Sequence, residues 1–130
     1  MIRYYISPDV EMSIGTMRNL LKIFKALSDA NRLRIIKMLE VRPLCVCEIT
    51  EALQLANSTV SKHLSILRDA ELILHIKNGK WVNYQLNTSE TEKYVSELLP
   101  LLKNWLPDDS TISRDSEIVK SIDRNVICGL

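Results

Sequence analysis

Apolar residues recur at helical spacing through the first half of the chain. The first stripe, at positions i, i+3, i+4, i+7 and i+10, predicts a helix and consists of Met17, Leu20, Leu21, Phe24 and Leu27. Ser28 is then expected to cap a second helix, which the Arg42-Pro43 pair ends. Two further apolar faces predict a short third helix and a fourth helix that begins at Asn57-Ser58. These faces are Val46, Ile49 and Leu53, and Val60, Leu64 and Leu67.

After the fourth helix the pattern changes to two short apolar and aromatic runs. Residues 72–76 and 81–86 flank the sequence Lys77-Asn78-Gly79-Lys80. Asn-Gly between strand-like runs predicts a β-hairpin, because both residues tolerate the positive φ of a type I′ turn. A fifth helix follows. Its predicted capping box is Ser89-Glu90-Thr91-Glu92, and Pro100 is expected to kink or stop it.

The element order α-α-α-α-β-β-α predicts a mainly α fold with a β-hairpin wing. Helices two to four and the hairpin are typical of a winged helix-turn-helix, whose second short helix enters the major groove of DNA. We therefore expect residues 1–107 to form a DNA-binding domain. Residues 108–130 form a C-terminal tail, either with a short helix at 117–122 or without regular structure.

The distribution of charge is compatible with this interpretation. Residues 1–86 carry 12 Lys and Arg against 8 Asp and Glu, whereas residues 87–130 carry 5 against 8. The sequence has no long apolar run, and its first residues lack a secretory signal. Its three cysteines, two of them nearly adjacent, suit a reducing compartment. We expect a cytoplasmic protein without a membrane partner.

The fourth predicted helix has an outward face suited to reading DNA. Its side chains are short, hydroxyl-bearing or basic: Ser58, Thr59, Ser61, Lys62, His63, Ser65 and Arg68. Such a face approaches base edges and phosphates closely. Lys77 and Lys80 flank the wing tip, where they could reach phosphates or a minor groove. One alternative is that this face is the solvated side of an ordinary helical bundle. Another is a winged helix that contacts only proteins, but such modules usually lose the short, basic outer face.

Four motifs, in order over residues 17–105, resemble the ArsR/SmtB family of repressors. They are FKALSDANRLRII at 24–36, LCVCEI at 44–49, STVSKHL at 58–64 and GKWVNYQL at 79–86. The resemblance implies a winged-helix homodimer paired through its first and last helices. Residues 1–107 would then carry both DNA binding and dimerisation, the latter through the Met17 to Leu27 stripe and a stripe of Val95, Leu98, Leu99 and Leu102. It also implies a repressor that leaves its double-stranded operator when a metal ion, a metalloid or an oxidant arrives.

The LCVCEI motif places two thiols, Cys45 and Cys47, one residue apart. Thiolates select soft ions, and trivalent arsenite and antimonite favour three sulfur ligands. On an ideal helix the two cysteines lie about 200° apart, at ~100° per residue. One ion could then hold both only by bending or unwinding that turn. Because the turn belongs to the helix-turn-helix, its distortion would move the reading helix and release DNA.

The sequence leaves the third ligand open. The arsenite motif of the family has a third cysteine where this chain has Thr50, and a hydroxyl is a poor ligand for a soft ion. Water, a cellular thiol and Cys128 are the candidates. The resemblance implies As(III) or Sb(III) as inducer and no required cofactor. The resemblance also disfavours zinc, cadmium and lead sites. Zinc-sensing members of the family use acid and histidine ligands on the last helix, where residues 90–104 contain no histidine. Cadmium- and lead-sensing members add cysteines from the N-terminal arm, and no cysteine precedes Cys45.

Two other interpretations of these cysteines stay open. A redox-sensing repressor of the same fold would use the same thiols, through sulfenic acid or an intermolecular bridge, because cysteines one residue apart form only a strained disulfide. Buried structural cysteines are the second, and they fit Cys45 better than Cys47. We do not expect an enzyme, since no nucleophile–base pair, phosphate loop or pair of carboxylates stands out.

Overall fold

The computed structural model describes residues 16–128. The helices are α1 (Met17–Leu27), α2 (Ala30–Leu39), α3 (Val46–Leu53), α4 (Asn57–Asp69), α5 (Lys93–Lys103), α6 (Ser110–Ser121) and α7 (Arg124–Ile127), and the strands between α4 and α5 are β1 (Ile73–Asn78) and β2 (Trp81–Leu86). The predicted order is confirmed, and two further helices follow it. Residues 1–15 and 129–130 lie outside the described part of the chain, and so does the N-terminal stretch that was expected to lack a secretory signal.

The first four helices enclose one apolar core, which places α4 against the rest of the domain. Its fully buried side chains include Ile23, Ile35, Ile36, Ile49, Val60, Leu64, Leu67, Leu72 and Ile73. The inward residues predicted for α4 are therefore confirmed, and Leu72 and Ile73 continue the same core to the base of the wing. Burial of so many branched side chains supplies the main driving force for this arrangement.

Carboxylates cap two helices at positions that the sequence pattern misplaced. Asp29, not Ser28, caps α2, and its carboxylate accepts the N–H groups of the next helical turn at 2.8 and 3.1 Å. The hydrogen bond from the Arg32 N–H is the main cause of the lowered pKa of Asp29. Glu92 caps α5, which runs through Pro100 without stopping there. The predicted capping box is wrong because Glu90 has a φ of 59°, which turns the chain just before the helix.

The hairpin is confirmed, but its turn lies one residue later than the sequence predicts. Asn78 pairs with Trp81, so the two-residue loop is Gly79-Lys80. Gly79 has a φ of +63°, which a glycine adopts without strain. The wing is also joined to the chain before α3, because Leu44 and Tyr84 exchange two backbone hydrogen bonds at 3.0 and 2.7 Å.

The C-terminal segment docks on α2 and α3 through arginine contacts. Arg34 makes a two-pronged pair with the fully buried Asp115 at 2.8 and 2.9 Å, and this hydrogen-bonded carboxylate raises the pKa of Arg34. Arg42 donates to the carbonyls of Val119 and Ile122, at the end of α6, at 3.0 and 3.4 Å. The tail therefore consists of the ordered helices α6 and α7, which extend beyond the short helix expected at 117–122. Among residues 16–128, none of the helices is both long and apolar enough to cross a membrane.

Candidate thiol site and nucleic-acid interface

The three cysteines of the chain meet at one place. The Sγ atoms of Cys45, Cys47 and Cys128 all lie within 4.8 Å of one another. The sulfurs of Cys47 and Cys128 touch, and their Cα atoms are 5.9 Å apart, a separation that also suits a disulfide. Cys45 is 4% exposed and the other two are half-buried. The structure thus brings Cys128, the C-cap of α7, to the two cysteines of the LCVCEI motif.

Cys45 lies just outside the helix, which changes the geometry expected from the sequence. It is the N-cap of α3, with extended backbone angles of φ −91° and ψ 171°. The rotation of ~100° per residue applies only within the helix, so Cys45 can face the same point as Cys47. The expectation that one ion must bend or unwind this turn to reach both thiols is therefore wrong.

A buried carboxylate fixes the start of α3 beside these thiols. Glu48 is 1% exposed; its Oε1 accepts the backbone N–H of Cys45 at 3.0 Å, and its Oε2 pairs with Arg42 at 2.8 Å. Burial would raise the pKa of Glu48, but the hydrogen bonds from Arg42 and Cys45 outweigh it, and the pKa is lowered. Burial, reinforced by the charge of Glu48, raises the pKa of the Cys45 thiol. Burial and this neighbouring charge therefore favour the protonated form of the Cys45 thiol.

Thr50 occupies the position of the third cysteine in the arsenite motif, but its hydroxyl is engaged in a hydrogen bond within α3. Its hydroxyl donates to the carbonyl of Val46 at 2.6 Å, a common bond for threonine inside a helix. Thr50, Cys47 and Ile127 border an open cleft of about 470 Å³. Solvent therefore reaches the thiol cluster from the side of α3 and α7.

The predicted DNA-reading residues lie on α4 and on the wing, and all of them except His63 are exposed. The exposed ones are Ser58, Thr59, Ser61, Lys62, Arg68, Lys77 and Lys80. His63 is half-buried, and its Nδ1 lies 3.2 Å from Nη1 of Arg32. The N-cap of α4 is Ala56, which offers no side-chain bond to the first N–H groups of the helix. Free N–H groups at a helix N-terminus suit a phosphate.

Two arginines at these sites were missed by sequence reasoning. Arg32 also donates to the carbonyl of Ala26 at 2.7 Å, so it ties His63 to the end of α1. Arg124 lies over the ring of Trp81, 4.8 Å from its centroid, and donates to Oδ1 of Asn83 at 3.0 Å. No sequence signal links Trp81 to an arginine so far along the chain.

Exposed apolar side chains lie on α1, the first of the two helices for which pairing is predicted. Met17, Leu21 and Phe24 on α1 are 77%, 58% and 57% exposed. The stripe predicted for pairing on α5 is different, because Val95, Leu99 and Leu102 are buried within their own protomer. The exposed apolar residues at the end of α5 are Leu101 and Trp105. The face predicted for pairing is therefore exposed on α1, whereas on α5 most of the predicted stripe is buried.

Known proteins are similar to this chain in sequence and in fold. Residues 29–74 match the family model described as bacterial regulatory protein, arsR family. The arsenic resistance transcriptional regulator ArsR1 of Pseudomonas putida is 35% identical over 74% of this chain and 80% of its own length. The arsenical resistance operon repressor of Escherichia coli is 43% identical over 52% of this chain, and the match spans 58% of that repressor.

A solved structure supports the same fold. The homodimeric winged helix-turn-helix domain of Mb0332 from Mycobacterium bovis superposes with a TM-score of 0.61 at 20% identity, over 78% of this chain and 87% of that domain. These related proteins are DNA-binding regulators, not enzymes. The chain therefore belongs to the arsR family of bacterial regulatory proteins, which are winged-helix repressors of transcription.

Proposed function

We propose that this repressor leaves its operator when As(III) or Sb(III) binds Cys45, Cys47 and Cys128. The observation that carries the proposal is the approach of all three Sγ atoms to within 4.8 Å. Three sulfurs at such distances suit a soft trivalent ion, which bonds to thiolates in a pyramid. The names of the relatives from Pseudomonas putida and Escherichia coli support the same inducer class.

The binding chemistry needs no cofactor and no change of oxidation state. Arsenite arrives as As(OH)₃, and each of three thiols replaces one hydroxide. Three As–S bonds form and three As–O bonds break, while each thiol proton leaves with a hydroxide as water. The raised pKa of Cys45 is compatible with this exchange, because the departing hydroxide takes the thiol proton. Antimonite reacts in the same way.

DNA binding is proposed for α4 and the wing. α4 would enter the major groove, with Ser58, Thr59, Ser61, Lys62, His63 and Arg68 toward bases and phosphates, and Lys77 and Lys80 would contact the backbone beside it. Two protomers paired through α1 and α5 would read a near-palindromic operator with half-sites about 34–36 Å apart or a multiple of that. Residues 1–107 would form this DNA-binding and dimerisation domain. Residues 108–130 would complete the sensor by supplying Cys128. The protein would act in the cytoplasm, where its operator is.

A fluorescence anisotropy titration tests the function. A labelled duplex of the chain's own promoter is bound by the full chain under reducing conditions and then titrated with arsenite. We expect release from the wild type and retention by the Cys45→Ser/Cys47→Ser variant. The exposed Ser121→Ala change serves as a matched control. Retention of DNA by the wild type at saturating arsenite would refute metalloid sensing.

A redox-sensing repressor is the second candidate, and the contact between Cys47 and Cys128 favours it. Hydrogen peroxide would oxidise the two thiols to one disulfide and would itself be reduced to two waters. This pairing differs from the bridge between neighbouring cysteines, which the sequence argues against. Release of DNA by peroxide, reversed by dithiothreitol and absent in Cys128→Ser, would support this candidate instead of metalloid sensing.

A further inference from the structure

Helix α7 connects the thiol cluster to the wing within one helical turn. The backbone N–H of Cys128 donates to the carbonyl of Arg124 at 3.0 Å, so the two residues stand at opposite ends of one turn. The Arg124 guanidinium lies 4.8 Å from the Trp81 ring centroid and bonds to Asn83 at 3.0 Å. The residue that would supply the third thiol and the residue that holds β2 therefore move together.

The contact with Trp81 bears directly on a basic residue of the wing tip. Nζ of Lys80 lies 5.7 Å from the centroid of the same ring. Cations are attracted to the face of an indole, with a strength that depends on how far they are removed from water. Arg124 and Lys80 share one aromatic partner, so the position of Arg124 influences the orientation of a lysine proposed to contact phosphate.

A route through the wing is needed because α3 does not have to deform when the three thiols gather. Cys45 is the N-cap, and its backbone N–H stays bonded to Glu48. A ligand releases DNA only if it favours a state that binds DNA less well. The wing is the DNA-contacting element that α7 touches, and the arginine contact can hold it in one position.

We propose that Arg124 is the positioning residue that couples occupancy of the thiol site to the wing. This inference rests on the proposed function. A metalloid bound to Cys128 anchors α7, and Arg124 then holds Trp81 and Asn83 so that the wing cannot adjust to the DNA backbone. Without the ligand, and with the thiols reduced, no bond joins Cys128 to Cys45 or Cys47, so α7 is held less firmly and the wing is free to follow the phosphates. By reciprocity, DNA weakens metalloid binding by the same factor.

The experiment measures metalloid binding and DNA affinity separately in the full chain. Arsenite binding is followed by the ultraviolet absorbance of As–S bonds, and the DNA dissociation constant is measured with and without saturating arsenite. The variants are Arg124→Ala, Arg124→Lys and, as a matched control, Arg114→Ala, which removes an exposed arginine of α6. A readout without metalloid is the alkylation rate of Cys128 under reducing conditions, which should rise in Arg124→Ala as α7 loosens.

We expect Arg124→Ala to bind arsenite. The factor by which arsenite weakens its DNA binding should be at least about tenfold smaller than in the wild type, a loss within the usual range of allosteric couplings. Arg124→Lys should keep only part of the wild-type factor, because an ammonium lacks the planar stacking of a guanidinium. Full arsenite-induced release by Arg124→Ala, as in Arg114→Ala, would overturn the inference, and so would failure of Arg124→Ala to bind arsenite. A wild type that binds no arsenite would instead refute the proposed function.

Discussion

The sulfur atoms of Cys47 and Cys128 touch although 81 residues separate them in the sequence. The contact depends on the docking of α6 on α2 and α3, which carries α7 past the wing to the start of α3. The candidate sensor is therefore built from two distant parts of the chain, one inside the helix-turn-helix and one outside it.

The third thiol should contribute measurably to metalloid affinity. Cys128→Ser removes one of three As–S bonds, and we expect arsenite to bind at least about tenfold more weakly, the equivalent of 1.4 kcal/mol. Competition with a dithiol chelator measures the affinity. Thr50→Ala is the control and should bind like the wild type, because its hydroxyl is bonded to Val46. The reverse order of the two variants would make Thr50 the third ligand.

The pair between Arg34 and Asp115 should stabilise the docked C-terminal segment. Asp115 is fully buried, so Asp115→Ala leaves Arg34 without its partner and should cost about 3 kcal/mol in the free energy of unfolding. Urea denaturation followed by circular dichroism measures this loss. Asp108→Ala removes an exposed carboxylate nearby and should change stability by less than about 0.5 kcal/mol. Equal stability of the two variants would contradict the role of the pair.

Glu48 should make stability depend on acid pH. Its pKa is lowered from 4.5 in the folded chain, so its carboxylate stabilises the fold above that value and loses this effect as the pH falls through the lowered pKa. Glu48→Gln should be about 2 kcal/mol less stable than the wild type at pH 7. Unfolding measured from pH 7 to 3 should show this difference shrinking. A constant difference across that range, or the same loss in the exposed Glu117→Gln, would disprove it.

Lys62 should contribute one phosphate contact. Lys62→Ala should weaken operator binding and reduce the slope of log K against log salt by about 0.9 per protomer, or about 1.8 for a dimer on its operator. Anisotropy titrations at several salt concentrations give the slope. Lys120→Ala makes the same charge change on α6, at a lysine as exposed as Lys62, and should leave the slope unchanged. An unchanged slope for Lys62→Ala would remove this residue from the proposed interface.

The exposed face of α1 should mediate pairing. Leu21 is 58% exposed beside Met17 and Phe24, and Leu21→Lys would bury a charge in an apolar contact. Sedimentation equilibrium should show the wild type at twice the 14.9 kDa chain mass and the variant shifted toward the single chain. Ile76→Lys, on the wing, is the control and should stay dimeric. A dimeric Leu21→Lys variant would move the interface elsewhere.

The helices and the hairpin could be predicted because their apolar residues follow regular periods. Val60, Leu64 and Leu67 face the core as expected. The caps were harder, because serine, aspartate and glutamate all accept backbone N–H groups and only tertiary packing decides which one does. Asp29 in place of Ser28 and Glu92 in place of Ser89 are two such cases.

The thiol site was predictable in part. The spacing of Cys45 and Cys47 indicated the chemistry, but a helical wheel cannot show that Cys45 precedes the helix. The approach of Cys128 depends on contacts such as Arg34 with Asp115, which join residues far apart in the chain. Local pattern carries no information about such pairs.

The long separation between Cys47 and Cys128 also sets an order of events during synthesis. Cys128 lies 81 positions after Cys47. The chain grows at roughly 5–20 residues per second, so Cys128 follows Cys47 from the ribosome by roughly 4 to 16 s. All the residues of α4 and the wing emerge within that interval. A nascent chain thus acquires its DNA-reading elements before its third thiol, and an ion held by all three sulfurs can bind only after the C-terminal segment has been made.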